Sequence, residues 1–329
     1  MRLFLSWLMI SWVSVATAAE PEFLIRFSHV TSPSSSKAMG AISFARKAME
    51  FTNGRVRVDV YHQGKLFGDK EEIDALKAGK VEMLAPSLSK LGPIGGPGFE
   101  MFDLPFLFKG YRDLRKVTMG PIGKTLLSQL EPAGYKGLAY WDNGFKNFSA
   151  NKPIEKPSDL KGLVMRIQSS DVLTEQIRAL GAIPVRTSFA GVYGALESGK
   201  VQATESPTSN FFGSKLYEVQ SHLTVSEHGY LGYAVLVNKK WWDSLPQDIR
   251  TQLERAMMIA TQTANQTANI KSEEDLIEMQ QRRLVQIRPL KPEERETFRK
   301  ALLPVHQKMA PVIGPELLEA VYEAIGFKP

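Results

Sequence analysis

The chain has 329 residues, 43% hydrophobic and 23% charged, the balance of a folded globular protein rather than a disordered one. Lys and Arg number 41 against 35 Asp and Glu, a formal charge of +6 whose scattered cations give no nucleic-acid footprint. The absence of cysteine excludes disulfide scaffolds, zinc–thiolate sites, iron–sulfur clusters and cysteine nucleophiles together.

The first eighteen residues read as an export leader: Arg2, an apolar run from Leu3 to Val15, then Ala16-Thr17-Ala18 for cleavage near Ala18. The run is about thirteen residues, short of the roughly twenty that span a bilayer. A periplasmic location follows as the expectation. Phe23–Ser28 then alternates as a strand, and Lys37–Phe51 carries an amphipathic helical pattern ended by Asn53-Gly54. Arg55–Tyr61 repeats with period two, Asp69–Ala78 reads as a helix closed by Gly79, and Val81–Ala85 opens a further strand. Strand and helix in alternation predict an α/β fold with largely parallel strands.

The same rhythm returns past residue 150, with strand 161–167, helix 171–180, strand 183–185, helix 189–197 and strand 201–204. Ala75-Leu-Lys-Ala-Gly-Lys-Val81 matches Ala195-Leu-Glu-Ser-Gly-Lys-Val201 at a constant offset of 120 residues. That match fits two similar domains, and it fits a generic helix–Gly–strand connection somewhat better. From Gln247 to Arg288 there is neither Gly nor Pro, so one brace-like helix is predicted, with a break near Thr267–Ser272 as the alternative. Pro292–Lys308 and Pro315–Ile325 read as two closing helices.

Catalytic signatures are weak. The Gly92–Gly98 segment is interrupted by proline, and Ser34-Ser-Ser-Lys37 and Ser87-Leu-Ser-Lys90 match Ser-x-x-Lys without its companion motifs. The five histidines lack metal-ligand spacing, and no cofactor is implied. An exported hydrolase or lyase is the rival class, and no placed base or nucleophile supports it. Three segments instead put cations and neutral donors near strand ends: Trp141–Phe148, Met165–Asp171 and Pro184–Phe189. In the second, Arg166 sits among Val164, Met165 and Ile167. Ser169, Ser170 or Asp171 then caps a helix whose N–H groups could face an anion.

These segments, with Phe27-Ser-His-Val30, Gly68-Asp-Lys-Glu-Glu72, Met83–Ser89, Phe102-Asp-Leu-Pro-Phe106 and His228–Tyr233, closely resemble the periplasmic solute-binding proteins of TRAP (tripartite ATP-independent periplasmic) transporters. The resemblance covers essentially the whole mature chain and is strongest with the branch that binds four-carbon dicarboxylates. It implies a two-domain α/β periplasmic binding protein with crossing hinge strands and a long helix over both domains. Residues 19–143 with 234–270 would form one domain, and 144–233 with 271–329 the other. It also implies a non-enzymatic receptor for succinate, fumarate or malate that serves one small and one large membrane subunit. Another organic anion, an aromatic, keto or sugar acid, is the alternative solute.

By the same resemblance Arg166 is the carboxylate-clamping arginine, a role suited to a planar guanidinium. Arg186 and Lys146 are the expected cations for the second carboxylate. Ser206 stands where many relatives have Asn, with Asn210 nearby as a replacement. Ser87, Ser89 and Asn143 are expected neutral donors, and His29, Trp141 and Tyr233 are expected to line the cleft.

Overall fold

The computed structural model describes residues 20–329, so the predicted leader lies outside the described residues. The first alternating run is β1 (Phe23–Ser28), α1 (Ser36–Phe51), β2 (Val56–Tyr61), α2 (Glu72–Lys77) and β3 (Met83–Leu84). Three short helices follow, α3 (Gly92–Gly95), α4 (Tyr111–Thr118) and α5 (Pro121–Ser128), and lead into the long strand β4 (Tyr135–Ala150). The second run is β5 (Val164–Ile167), α6 (Asp171–Ala179), β6 (Ile183–Arg186), α7 (Val192–Glu197) and β7 (Ala203–Pro207). Then come α8 (Thr208–Gly213), a second long strand β8 (His222–Asn238), α9 (Lys239–Ser244), α10 (Gln247–Gln281) and β9 (Gln286–Pro289). Three helices end the chain: α11 (Pro292–Leu302), α12 (Pro304–Ile313) and α13 (Pro315–Ile325).

The main sheet path is β2-β1-β3-β8-β4-β7-β5-β6, and it reads the same from both ends when the two runs are exchanged. β1 pairs in parallel with β2 and β3, and β5 pairs in parallel with β6 and β7. β3 joins β8 and β7 joins β4 in antiparallel fashion, and β4 pairs with β8 along nearly its whole length. Helices α2 and α7 start at 72 and 192, so the 120-residue offset seen in the sequence is a structural repeat. Gly79 and Gly199 close them with φ of 68° and 70°, where a side chain would be strained.

β4 and β8 cross from one lobe to the other, and bulges between Asp142 and Gly144 and between Lys146 and Phe148 interrupt their ladder midway. Over this sheet runs α10, about 50 Å long at 1.5 Å per residue. It continues unbroken through Thr267–Ser272 but ends at Gln281, earlier than the composition implied. Arg283 takes a left-handed φ of 52° just beyond, a stop that carries no glycine or proline signal. Leu253, Ala256, Ala260 and Ala264 of α10 enter one core with Ile25, Phe27, Phe44 and Trp141. Met279, near the other end, enters a second core with Val192, Leu196, Phe211 and Leu223. The helix therefore braces both lobes.

The alanine stripe lets α1 lie close against α10, and Gly40 sits at the contact. A Cβ on Gly40 would come 2.8 Å from the Ala264 methyl and 3.0 Å from the Trp141 ring. Gly40→Val is therefore expected to cost about 2–3 kcal/mol through overpacking. Gly194→Ala, in α7 where an added methyl meets nothing within 4 Å, is expected to be neutral or to gain up to about 1 kcal/mol. Urea denaturation of the two variants beside the wild type checks both signs.

Candidate functional site

The site forms where the two repeats face each other. Val30 and Thr31 follow β1, Asp69 follows β2, Ser87 follows β3, Gln168 follows β5, Phe189 follows β6 and Asn210 lies beyond β7. All stand past the carboxyl ends of parallel strands, where open α/β sheets collect ligands. Arg166 of β5, Lys37 of α1, Glu72 of α2 and Leu231 and Tyr233 of β8 complete the lining. The enclosed volume is about 30 Å³, room for one or two waters. A four-carbon acid therefore needs the lobes to part before it can enter.

Arg166 is 5% exposed and has no carboxylate partner among the described residues. Its Nε and Nη2 both donate to the carbonyl of Thr187, at 3.1 and 2.9 Å, which fixes the plane of the guanidinium. Burial lowers its pKa to about 10, so it stays cationic. Lys37 is 1% exposed and places its ammonium 3.7 Å from the centroid of the Tyr233 ring. Burial pulls this lysine down to about 7; Glu72 and Asp69 push the other way and Lys90 adds to the lowering. Ser35 caps α1 through the Ala38 N–H, and the first turn of that helix contains no acid.

Neutral groups frame the two cations. Asn143 donates to Asn210 Oδ1 at 2.9 Å and to the Tyr233 hydroxyl, and accepts from Ser209 at 3.1 Å. Ser87 Oγ and Glu72 Oε2 are buried at the cavity without a hydrogen-bond partner. Lys90 reaches Asp69 Oδ1 and Glu72 Oε1, both at 2.5 Å, and offsets part of the local acid. Burial raises Glu72, whereas for Asp69 the nearby Lys90 outweighs burial and holds the carboxyl below its ordinary value.

Of the residues expected from the sequence, Arg166, Ser87, Asn210 and Tyr233 line this cavity, with Asn143 directly behind. The others are placed elsewhere. Lys146 is no open cation: it is 1% exposed and bonded to Glu205 at 2.9 Å and Asp103 at 3.4 Å. Burial alone would lower it, but those two carboxylates win and hold it above the ordinary lysine value. Glu205 also accepts from His228 Nε2 and Gln176, both at 2.8 Å. Arg186 is half exposed in a separate groove and turns to Asp171 at 2.5 Å and Thr174 at 3.0 Å. Ser89 donates to Asp103 at 3.0 Å, and Ser206 pairs with Asn147 across the β4–β7 ladder, outside the lining.

Trp141 is core, its indole N–H on Thr261 at 3.0 Å. The helix N-terminus expected to meet an anion is already filled. Glu100 Oε2 accepts from the N–H groups of Asp171 and Val172 and from the Ser170 hydroxyl, at 2.7 to 3.1 Å. Lys37, Asp69 and Glu72 were missed. The available signal for Lys37 was a lysine in the first turn of a helix, against the macrodipole and with no acid to compensate. His29 is buried behind the lining, 2.8 Å from His62 and 3.1 Å from Thr31.

Burial, with Lys37 and His62 adding to it, lowers His29 to about 2. The folded state keeps His29 neutral while the unfolded chain takes up a proton below about pH 6.5. Its contribution is full above that pH and is lost as the pH falls towards 2. The stability advantage of wild type over His29→Gln is expected to narrow by about 2 kcal/mol between pH 6.5 and 5, at 1.36 kcal/mol per pH unit. Denaturant titrations of both proteins at the two pH values check it.

Two lobes of one topology, hinged on crossing strands and facing each other across two cations with no carboxylate partner among the described residues, define a two-domain solute-binding protein. Residues 27–311 match the family described as bacterial extracellular solute-binding protein, family 7. The chain belongs to this family of receptors, which are not enzymes. It is 51% identical over 312 residues to the C4-dicarboxylate-binding periplasmic protein DctP of Rhodobacter capsulatus, covering 95% of this chain and 93% of that one. A TRAP periplasmic solute-binding protein from Sulfurospirillum deleyianum with bound succinate superposes with a TM-score of 0.88 at 38% identity, over 92% of this chain and 98% of that one. One from Pseudomonas aeruginosa with bound L-malate gives 0.85 at 38%, over 87% and 99%. Among the described residues no helix is long and apolar enough to cross a membrane.

Proposed function

We propose that the chain is the periplasmic receptor of a TRAP transporter and captures a four-carbon dicarboxylate between Arg166 and Lys37. One observation carries the reading: two buried cations without carboxylate partners among the described residues border the same small cavity. A buried charge left unpaired is costly, and a dianion with a carboxylate at each end relieves both costs at once. Arg166, held in plane by Thr187, would take one carboxylate. Lys37 would take the other, helped by the free hydroxyl of Ser87 and the amide of Asn210. The succinate- and malate-bound relatives support this solute class.

Glu72 Oε2, buried without a donor, favours acids that bring a hydroxyl, so malate stands beside succinate as a solute. Export through the leader of residues 1–18 and delivery to one small and one large membrane subunit complete the proposal. Solute bridging the two lobes would favour the closed state, and a micromolar affinity corresponds to about −8 kcal/mol.

Calorimetry with succinate, fumarate, L-malate, galactonate and butyrate tests the reading. Arg166→Ala is expected to weaken every acid by about a hundredfold or more. Lys37→Met is expected to weaken the diacids far more than butyrate; equal losses would remove Lys37 from the distal clamp. The charges facing this ammonium are those of Glu72, Asp69, Lys90 and Arg166, with neutral His29 behind. Only its protonated form binds a carboxylate, and burial in the closed cleft lowers it to about 7. Dicarboxylate affinity is therefore expected to fall about tenfold per pH unit above 7, a slope absent in Lys37→Met.

A further inference from the structure

We propose that Asp69 is the latch that holds the two lobes together whenever they close, with or without solute, a role that rests on the receptor reading above. Asp69 lies in the β2–α2 connection of the first repeat, and its Oδ2 accepts the backbone N–H of Phe189 at 3.2 Å. Phe189 opens the 3₁₀ turn before α7 in the second repeat. The two residues are 120 positions apart, the offset that relates the repeats, so the latch joins equivalent lips of the two lobes. Both also line the solute cavity.

The latch is held ready from behind. Lys90 bonds Asp69 Oδ1 at 2.5 Å and the Asp69 carbonyl at 2.6 Å, which fixes the carboxylate and leaves Oδ2 directed across the cleft. A carboxylate accepting an N–H is a charge-assisted bond, stronger than a neutral one. It forms only when the lips meet, because its donor and acceptor belong to different repeats. Such a contact stabilises the closed state selectively, so it slows solute release by holding the lips together. Asp69 is thus a positioning residue, distinct from the clamp of Arg166 and Lys37.

Stopped-flow release of succinate and L-malate reads the latch. Asp69→Ala is expected to raise koff about tenfold, and Asp69→Asn, which keeps an acceptor, by less. Phe189→Pro removes the N–H at a position whose preceding residue is already extended (Ser188 ψ 155°), and Phe189→Ala removes only the ring. Phe189→Pro should release solute about tenfold faster than Phe189→Ala, and adding Asp69→Ala to it should change nothing more. An unchanged koff in Asp69→Ala, or independent effects of the two substitutions, would overturn the latch.

A second readout needs no solute. The chain has no cysteine, so spin labels at Lys77→Cys and Glu197→Cys report the separation of the lobes alone. Asp69→Ala should move that distance distribution outwards in the free protein. If the wild type bound none of the acids, the receptor reading would fall. The label distances would still decide the latch, and an unmoved distribution would reject it.

Discussion

Everything at this site follows from two positive charges kept out of water without a carboxylate of their own. Burying an ion costs several kcal/mol unless it is paired, so proteins rarely leave one alone. Arg166 offsets part of that cost through the Thr187 carbonyl, and Lys37 through the face of Tyr233. Neither group satisfies the full charge. In the proposed receptor, the remaining cost is what an arriving dianion would remove, which would favour negative charge at both ends.

The contrast with neighbouring cations shows that pairing, rather than position near a strand end, separates a ligand-binding cation from a structural one. Lys146 is as buried as Lys37, yet Glu205 and Asp103 saturate it. With His228, Gln176 and Ser89 it forms a polar knot at the bulged middle of β4 and β8, where the lobes meet. Arg186 is spent on Asp171. Glu100 occupies the α6 terminus in the same spirit, an internal anion where an external one was expected.

Much of the frame was legible because it obeys local rules. The strand Phe23–Ser28 and the helix Pro315–Ile325 fall where alternation and capping put them, and the 120-residue match proved to be a structural repeat. The long strands β4 and β8 were not legible as elements. Both are buried over most of their length, so they show no clean alternation, and bulges break the period further. Lys146 misled because its partners lie 43 and 59 residues away, a neutralisation no local pattern encodes. Lys37 lies inside a Ser-x-x-Lys match, a pattern that points towards catalysis rather than binding. Its real signal was the missing acid in its own helical turn.

The acids beside the cavity then pose a question of charge. Asp69 and Glu72 lie close enough to Lys37 to stabilise its ammonium electrostatically, and a free carboxylate there would compete with the solute for it. Lys90 limits this by binding both carboxylates at 2.5 Å. The triad leaves enough negative field to keep Lys37 titrating near neutrality, and too little free acid to pair with it outright. One lysine thus has two effects. On the proposed reading it would keep the solute's cation available and hold Asp69 against the opposite lip, so that affinity and closure would depend on the same buried charge.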